Sequence, residues 1–138
     1  MAYVVSRKYP IDTQFSKAIG IKFPFSGQED AVFSSTYTTR DAIKSNIINF
    51  FLTNKGERIM YPDFGANLKV FLFEHIETNK IGELKEYIRS LLISNFPQVE
   101  VVNIQLLSNT DLNLVQVNIA YQIIVTREED NVSLNISR

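Results

Sequence analysis

The chain has 138 residues, with 14 basic and 15 acidic side chains. It is long enough for one domain with a real core, and it has no overall field to draw in nucleic acid or an anionic membrane. There is no cysteine, which rules out disulfides and thiolate metal sites, and one histidine, His75, is too little for a zinc site of ordinary composition. No cofactor is expected, and the expected partners are proteins.

No stretch approaches the roughly 20 apolar residues of a membrane span, and the first residues lack the apolar run of a signal peptide. The protein is therefore expected to be made and kept in a cytosol. Residues 1–30 read as an N-terminal arm, since Pro10, Gly20, Pro24 and Gly27 are too closely spaced for a long helix or strand. Yet Tyr3, Tyr9, Phe15, Ile19, Ile21, Phe23 and Phe25 make this arm more apolar than a disordered tail. Such an arm needs a surface, either its own domain or a neighbouring subunit. Residues 31–138 then form a single α+β domain, with Ala31 to Ser34 as a candidate edge strand.

From Thr38 the period becomes helical. Thr38 or Thr39 supplies the N-cap, Asp41 sits in the first turn, and Ile43, Ile47, Phe50 and Phe51 fall on one face. Gly56 is expected to end this helix in a left-handed conformation, with Lys55 near its negative end. Residues 59–65 follow as a tight crossing, in which Pro62 fixes φ and Gly65 permits a positive one. Asn67 is a candidate cap for a short helix reaching Glu74, with Leu68, Phe71 and Leu72 on one side. A longer helix is predicted over residues 78–95, where Ile81, Leu84, Ile88, Leu91 and Leu92 keep a helical period until Pro97 prevents continuation.

Beyond Pro97 the period changes to two. Val102, Ile104 and Leu106 alternate with polar residues, as do Val115, Val117, Ile119, Tyr121, Ile123 and Val125, which predicts an antiparallel hairpin. The segment Arg127 to Asn131 reads as a charged turn before a last strand, in which Val132, Leu134 and Ile136 alternate with Ser133, Asn135 and Ser137. The expected fold is α+β: a small antiparallel sheet packed against two main helices and a short one, with an extended N-terminal arm.

FPF at 23–25, LTNKGERIMYPDFG at 52–65 and LFE at 72–74 are followed by a long helix, a proline and a hairpin. Together these pieces resemble the baseplate-wedge family of contractile phage tails, which also supplies a sheath-initiating subunit to type VI secretion and related injection devices. The family pattern falls on Gly56, Glu57, Arg58, Pro62, Asp63, Phe64, Gly65, Leu72, Phe73 and Glu74. Many relatives carry Glu-Pro-Arg after the long helix, linked with contacts to neighbouring wedge subunits. Here those positions are Phe96, Pro97 and Gln98, so the contact is kept, moved or replaced by an apolar one.

The resemblance implies a structural subunit of a tail baseplate, assembled in a host cytoplasm. It would be joined to other wedge proteins and would template the first ring of tail sheath, with the tail tube as a further neighbour. The last strand, Val132, Ser133, Leu134, Asn135 and Ile136, is the candidate sheath contact, because a strand at the end of a chain tends to be an edge that accepts another strand. Two rival readings are a soluble adaptor outside any such device and a lysozyme-like glycoside hydrolase, a label some relatives have carried. A hydrolase would use Glu57 and Asp63, with Glu74 the only other clustered acid. Against it, Arg58 beside Glu57 would hold a carboxylate ionised, and every residue of the turn has a conformational reason to be there.

Overall fold

Helix α1 spans Thr39–Leu52 in the computed structural model, which describes residues 9–14, 16–22, 35–77, 80–109 and 111–137. Thr38, in extended backbone, caps it as its sequence predicts: its hydroxyl oxygen accepts from the Asp41 N–H at 3.2 Å. The helix stops at Leu52 rather than continuing to Gly56. The groups of the next helical bond find other partners there, and the Phe50 carbonyl accepts from the Ala66 N–H at 3.3 Å. The Thr53 hydroxyl donates to the Asn49 carbonyl at 2.6 Å, and the Asn54 N–H is taken by the Glu57 carboxylate at 3.1 Å. Gly56 does adopt the expected positive φ, 89°, but inside the following loop.

Helix α2, Leu68–Glu77, runs a turn beyond the predicted end. Asn67 precedes it with φ 52°, a left-handed backbone unlike the extended one usual for an N-cap residue. Helix α3, Ile81–Asn95, begins later than predicted, and Thr78 and Asn79 lie outside the described residues. Leu84, Ile88 and Leu92 are fully buried as their period requires, whereas Ile81 in the first turn is exposed.

Three strands form the main sheet in the order β3 (Val99–Asn109), β4 (Leu114–Ile123), β5 (Glu129–Ser137), all antiparallel. Helix α1 lies over β5, α3 lies over β3, and α2 packs against both helices. The inner face is built by the predicted alternation in β4 and β5: Val115, Val117, Ile119, Tyr121 and Ile123 beside Val132, Leu134 and Ile136.

Two expectations fail in this sheet. The first concerns Val102, which is exposed because a bulge between Val101 and Asn103 interrupts the register with β4. A bulge adds one residue and resets the phase, so Val99 and Val101 face the helices before it and Ile104 and Leu106 after it. The second concerns the β4–β5 turn, which is earlier than predicted. Ile123 donates to Glu128 and Arg127 donates to Ile123, each at 2.9 Å, with Arg127 at φ 60°. This ends β4 at Ile123, leaves Val125 exposed, and draws Glu129, Asp130 and Asn131 into β5 instead of the turn.

The described part of the arm lies on its own chain. A 3-10 turn, Pro10–Thr13, places Asp12 at the start of α1, where one carboxylate oxygen accepts from both the N–H and the hydroxyl of Thr39, each at 2.7 Å. Gly20–Ile21 (β1) then pairs with Ser35–Thr36 (β2) in a separate two-stranded ribbon against α1. Phe23 to Phe25 and the candidate strand Ala31 to Ser34 fall outside the described residues, as does the expected domain boundary at residue 30.

Candidate interaction surfaces

The family-motif residues from Gly56 to Gly65 build one loop between α1 and α2, and Leu72, Phe73 and Glu74 lie in α2. Its neck is closed by Gly56, whose N–H donates to the Pro62 carbonyl at 2.8 Å. Glu57 turns back on the neck, where its carboxylate accepts from the Asn54 backbone N–H at 3.1 Å and from the Asn54 amide at 2.9 Å. The Arg58 guanidinium lies 4.0 Å from the centre of the Phe64 ring, a cation–π contact. Phe64 in turn meets buried Phe50 edge-on at 5.3 Å. Gly65 is buried at φ 118°, and Leu72 is fully buried, while Phe73 is half-buried and Pro62, Asp63 and Glu74 are exposed. The tip that this frame holds up is Ile59, Met60 and Tyr61, all exposed. Sequence reasoning treated these three only as part of a crossing. The available signal was a run of three apolar residues in a loop bracketed by Gly56 and Pro62.

The candidate acids do not share an enclosed cleft in the manner a glycosidase requires. Glu57, Asp63 and Glu74 are exposed, and Glu57 is engaged in closing the loop. Among the described residues no group of three His, Asp or Glu side chains is placed to hold a metal ion.

At the turn after α3, Phe96 points into the core and meets Phe50 edge-on at 5.6 Å, so it is not available to a neighbour. Pro97 is exposed and borders a shallow cleft with Arg89, Ile93, Val101 and Ile124. Gln98 holds the sheet end, its carbonyl accepting from the Ile124 N–H at 3.0 Å.

The order of the main sheet makes β5 an edge strand. The Ile123-to-Glu128 bond fixes the hydrogen-bonding phase, so Asp130, Val132, Leu134 and Ile136 turn their N–H groups toward β4. Asn131, Ser133 and Asn135 therefore turn theirs outward. Asn131 satisfies its own with the Asp130 side chain at 2.8 Å, so among the described residues the open edge begins at Ser133.

Asp130 also ties this strand to α1, with Arg40 Nε at 3.2 Å and Lys44 Nζ at 3.5 Å. Burial by itself pushes the carboxyl up, but the Asn131 N–H, the Arg40 guanidinium and the Lys44 ammonium together hold it below the usual carboxylate range. A lowered folded value contributes stability that is present above the carboxyl's ordinary value and lost as pH falls through the folded one. Asp130→Asn should accordingly cost about 1 kcal/mol at neutral pH, the partners being half exposed. In acid-range unfolding titrations the wild type and the variant should converge.

These features define a class: a small α+β domain with helices on one face of a sheet in which, among the described residues, β5 is an edge strand. The chain belongs to the family of baseplate wedge protein gp25, whose pattern it matches over residues 38–128. The family is one of baseplate wedge proteins. Among solved structures it is similar to a Geobacter sulfurreducens protein with a provisional tail-lysozyme name, at 22% identity and TM-score 0.65, covering 74% of this chain and 93% of that one. It is also similar to a chain of the anti-feeding prophage baseplate, at 18% identity and TM-score 0.51, covering 83% of this chain and 80% of that one. Among curated protein sequences none matches it significantly.

Proposed function

We propose that this wedge subunit initiates the tail sheath by accepting an extended segment of a sheath protein along β5. The observation that carries this reading is the outward pair of N–H groups at Ser133 and Asn135, on a strand whose Val132, Leu134 and Ile136 are locked beneath α1. A rigid strand with a free outer ladder offers main-chain hydrogen bonds for strength, and its alternating side chains set the register of an added strand. Other baseplate proteins, including the tail tube, would hold the remaining surfaces, with Pro97 and its cleft as one contact. The complex would be built in a host cytoplasm and would remain in the particle's baseplate. A glycoside hydrolase is the weaker reading, because Glu57 is spent on the loop and Asp63 stands in the open.

Proline at Asn135 removes one outward donor and leaves the ladder to β4 in place. Ser133 is the poorer choice, since its hydroxyl also donates to the Asn118 side chain at 2.6 Å. Asn135→Pro should remain folded by circular dichroism and join the baseplate, yet fail to start sheath in a reconstituted assembly. Asn135→Ala, which keeps the N–H, should behave as wild type. Sheath of normal length on the proline variant would refute the edge role.

A further inference from the structure

Ile59 and Met60 are 93% and 96% exposed, more than any other large apolar side chain among the described residues, and Tyr61 beside them is 58% exposed. Isolated exposed apolar residues are ordinary, but three in succession on one tip are not. The tip is also held firmly. Besides the Gly56 to Pro62 closure, the Tyr61 N–H donates to the Arg58 carbonyl at 3.3 Å and the Phe64 N–H to the Tyr61 carbonyl at 3.1 Å. Phe64 joins the loop to Phe50 in the core, and Gly65 is seated against the Thr53 carbonyl. A protruding apolar tip fixed in this way has little conformational entropy left to lose on binding.

We propose that Ile59 and Met60 form a knob that inserts into an apolar pocket of a neighbouring, non-identical protein of the baseplate. The proposal rests on membership of the wedge family and is independent of the role assigned to β5. Three features select this occupant. Three side chains offer far less than the roughly 800 Å² per partner that a stable two-protein interface buries, so the tip cannot hold a second copy by itself and is one part of a larger contact. A two-fold contact would also require the knob to meet a pocket on its own surface. A membrane is a poor fit too, because Lys55 and Arg58 are matched by Glu57 and Asp63 around the tip, and this balance gives no attraction to anionic lipid. A preorganised hydrophobic anchor at the centre of a larger protein interface matches both the size and the neutrality of the patch.

The test uses the assembled particle. A photo-crosslinking amino acid, benzoylphenylalanine, is placed at Met60, and its products are identified by mass spectrometry. Crosslinks to another baseplate protein are expected. Crosslinks to residues 1–8 or 23–34 of the same chain, to a second copy, or to lipid would overturn the proposal, as would the absence of any crosslink in intact particles. In parallel, Ile59→Ser and Met60→Gln should leave the free protein's melting temperature unchanged, as befits exposed positions. Each should weaken binding to the crosslinked partner, purified alone, by more than about tenfold. A clear drop in melting temperature would instead assign the tip to the protein's own fold, and unaltered affinity in the double variant would remove it from the interface.

Discussion

Gly65→Ala should destabilise the domain by about 3 kcal/mol or more, because two independent penalties coincide at that position. The backbone has φ 118°, which side chains other than hydrogen rarely adopt. An added Cβ would also stand 2.5 Å from the Thr53 carbonyl oxygen and 2.9 Å from the Asn54 carbonyl carbon, both backbone atoms with no rotamer to yield. The strand of chain leaving α1 and the strand returning toward α2 cross at this point, and only a glycine lets them touch. The Ala66 N–H, donating to the Thr53 carbonyl at 3.1 Å, fixes the crossing. Gly56 provides the comparison: φ is 89°, but nothing lies within 4 Å of the added carbon. Gly56→Ala should therefore cost only about 1 kcal/mol of backbone strain. Urea unfolding of the two variants, with unchanged m-values, measures the difference directly. Equal losses would mean that conformation alone, and not the crossing, dictates glycine at 65.

Phe50→Ala should be at least as damaging, at about 3–5 kcal/mol, the range for emptying a large aromatic site in a core. Phe50 is 2% exposed and meets three rings edge-on: Phe51 at 5.4 Å, Phe64 at 5.3 Å and Phe96 at 5.6 Å. It thereby joins α1, the motif loop and the end of α3 in one contact. Phe64→Ala, at a half-buried ring, should cost less and should mainly loosen the loop. Thermal unfolding of both variants, together with hydrogen exchange at the Gly56 and Tyr61 amides, separates global from local loss. If Phe50→Ala melts within a degree or two of wild type, the cluster is not the hub described.

The readable parts of this chain were those whose physics is local. Thr38 three residues before Asp41 specifies a helix start, and the helical spacing of Ile43, Ile47 and Phe50 specifies its buried face. Strict alternation from Val115 to Ile123 and from Val132 to Ile136 specifies two strands and the side that faces the helices. Positive φ at Gly65 followed from glycine's place in a turn, and at Gly56 the expected positive φ occurs in the loop and not at the helix end. The misread parts each depended on something remote or on competition between neighbours. The early end of α1 is set by Glu57 taking the Asn54 N–H and Ala66 taking the Phe50 carbonyl, two groups that the next helical bond would have paired with each other. Asp130 reads as a turn residue, but the bonds among Ile123, Arg127 and Glu128 close the turn before it, and Arg40, some 90 positions away, and Lys44 tie it to α1 from its place in the strand. At Val102 the alternation continues in sequence while the pairing with β4 does not, since a bulge costs nothing visible in the pattern.

The sequence by itself determined the class of fold, the wedge-family motif, and the face on which each long element is buried, because hydrophobic period and turn chemistry act within a few residues. The tertiary structure decided which surfaces remain for partners. It buried Phe96 and left Pro97 outside, turned the amides of Ser133 and Asn135 outward rather than those of Val132 and Leu134, and held Ile59 and Met60 away from the core. Each of these outcomes depends on which segments meet across the fold, and exposure is whatever area those meetings leave uncovered.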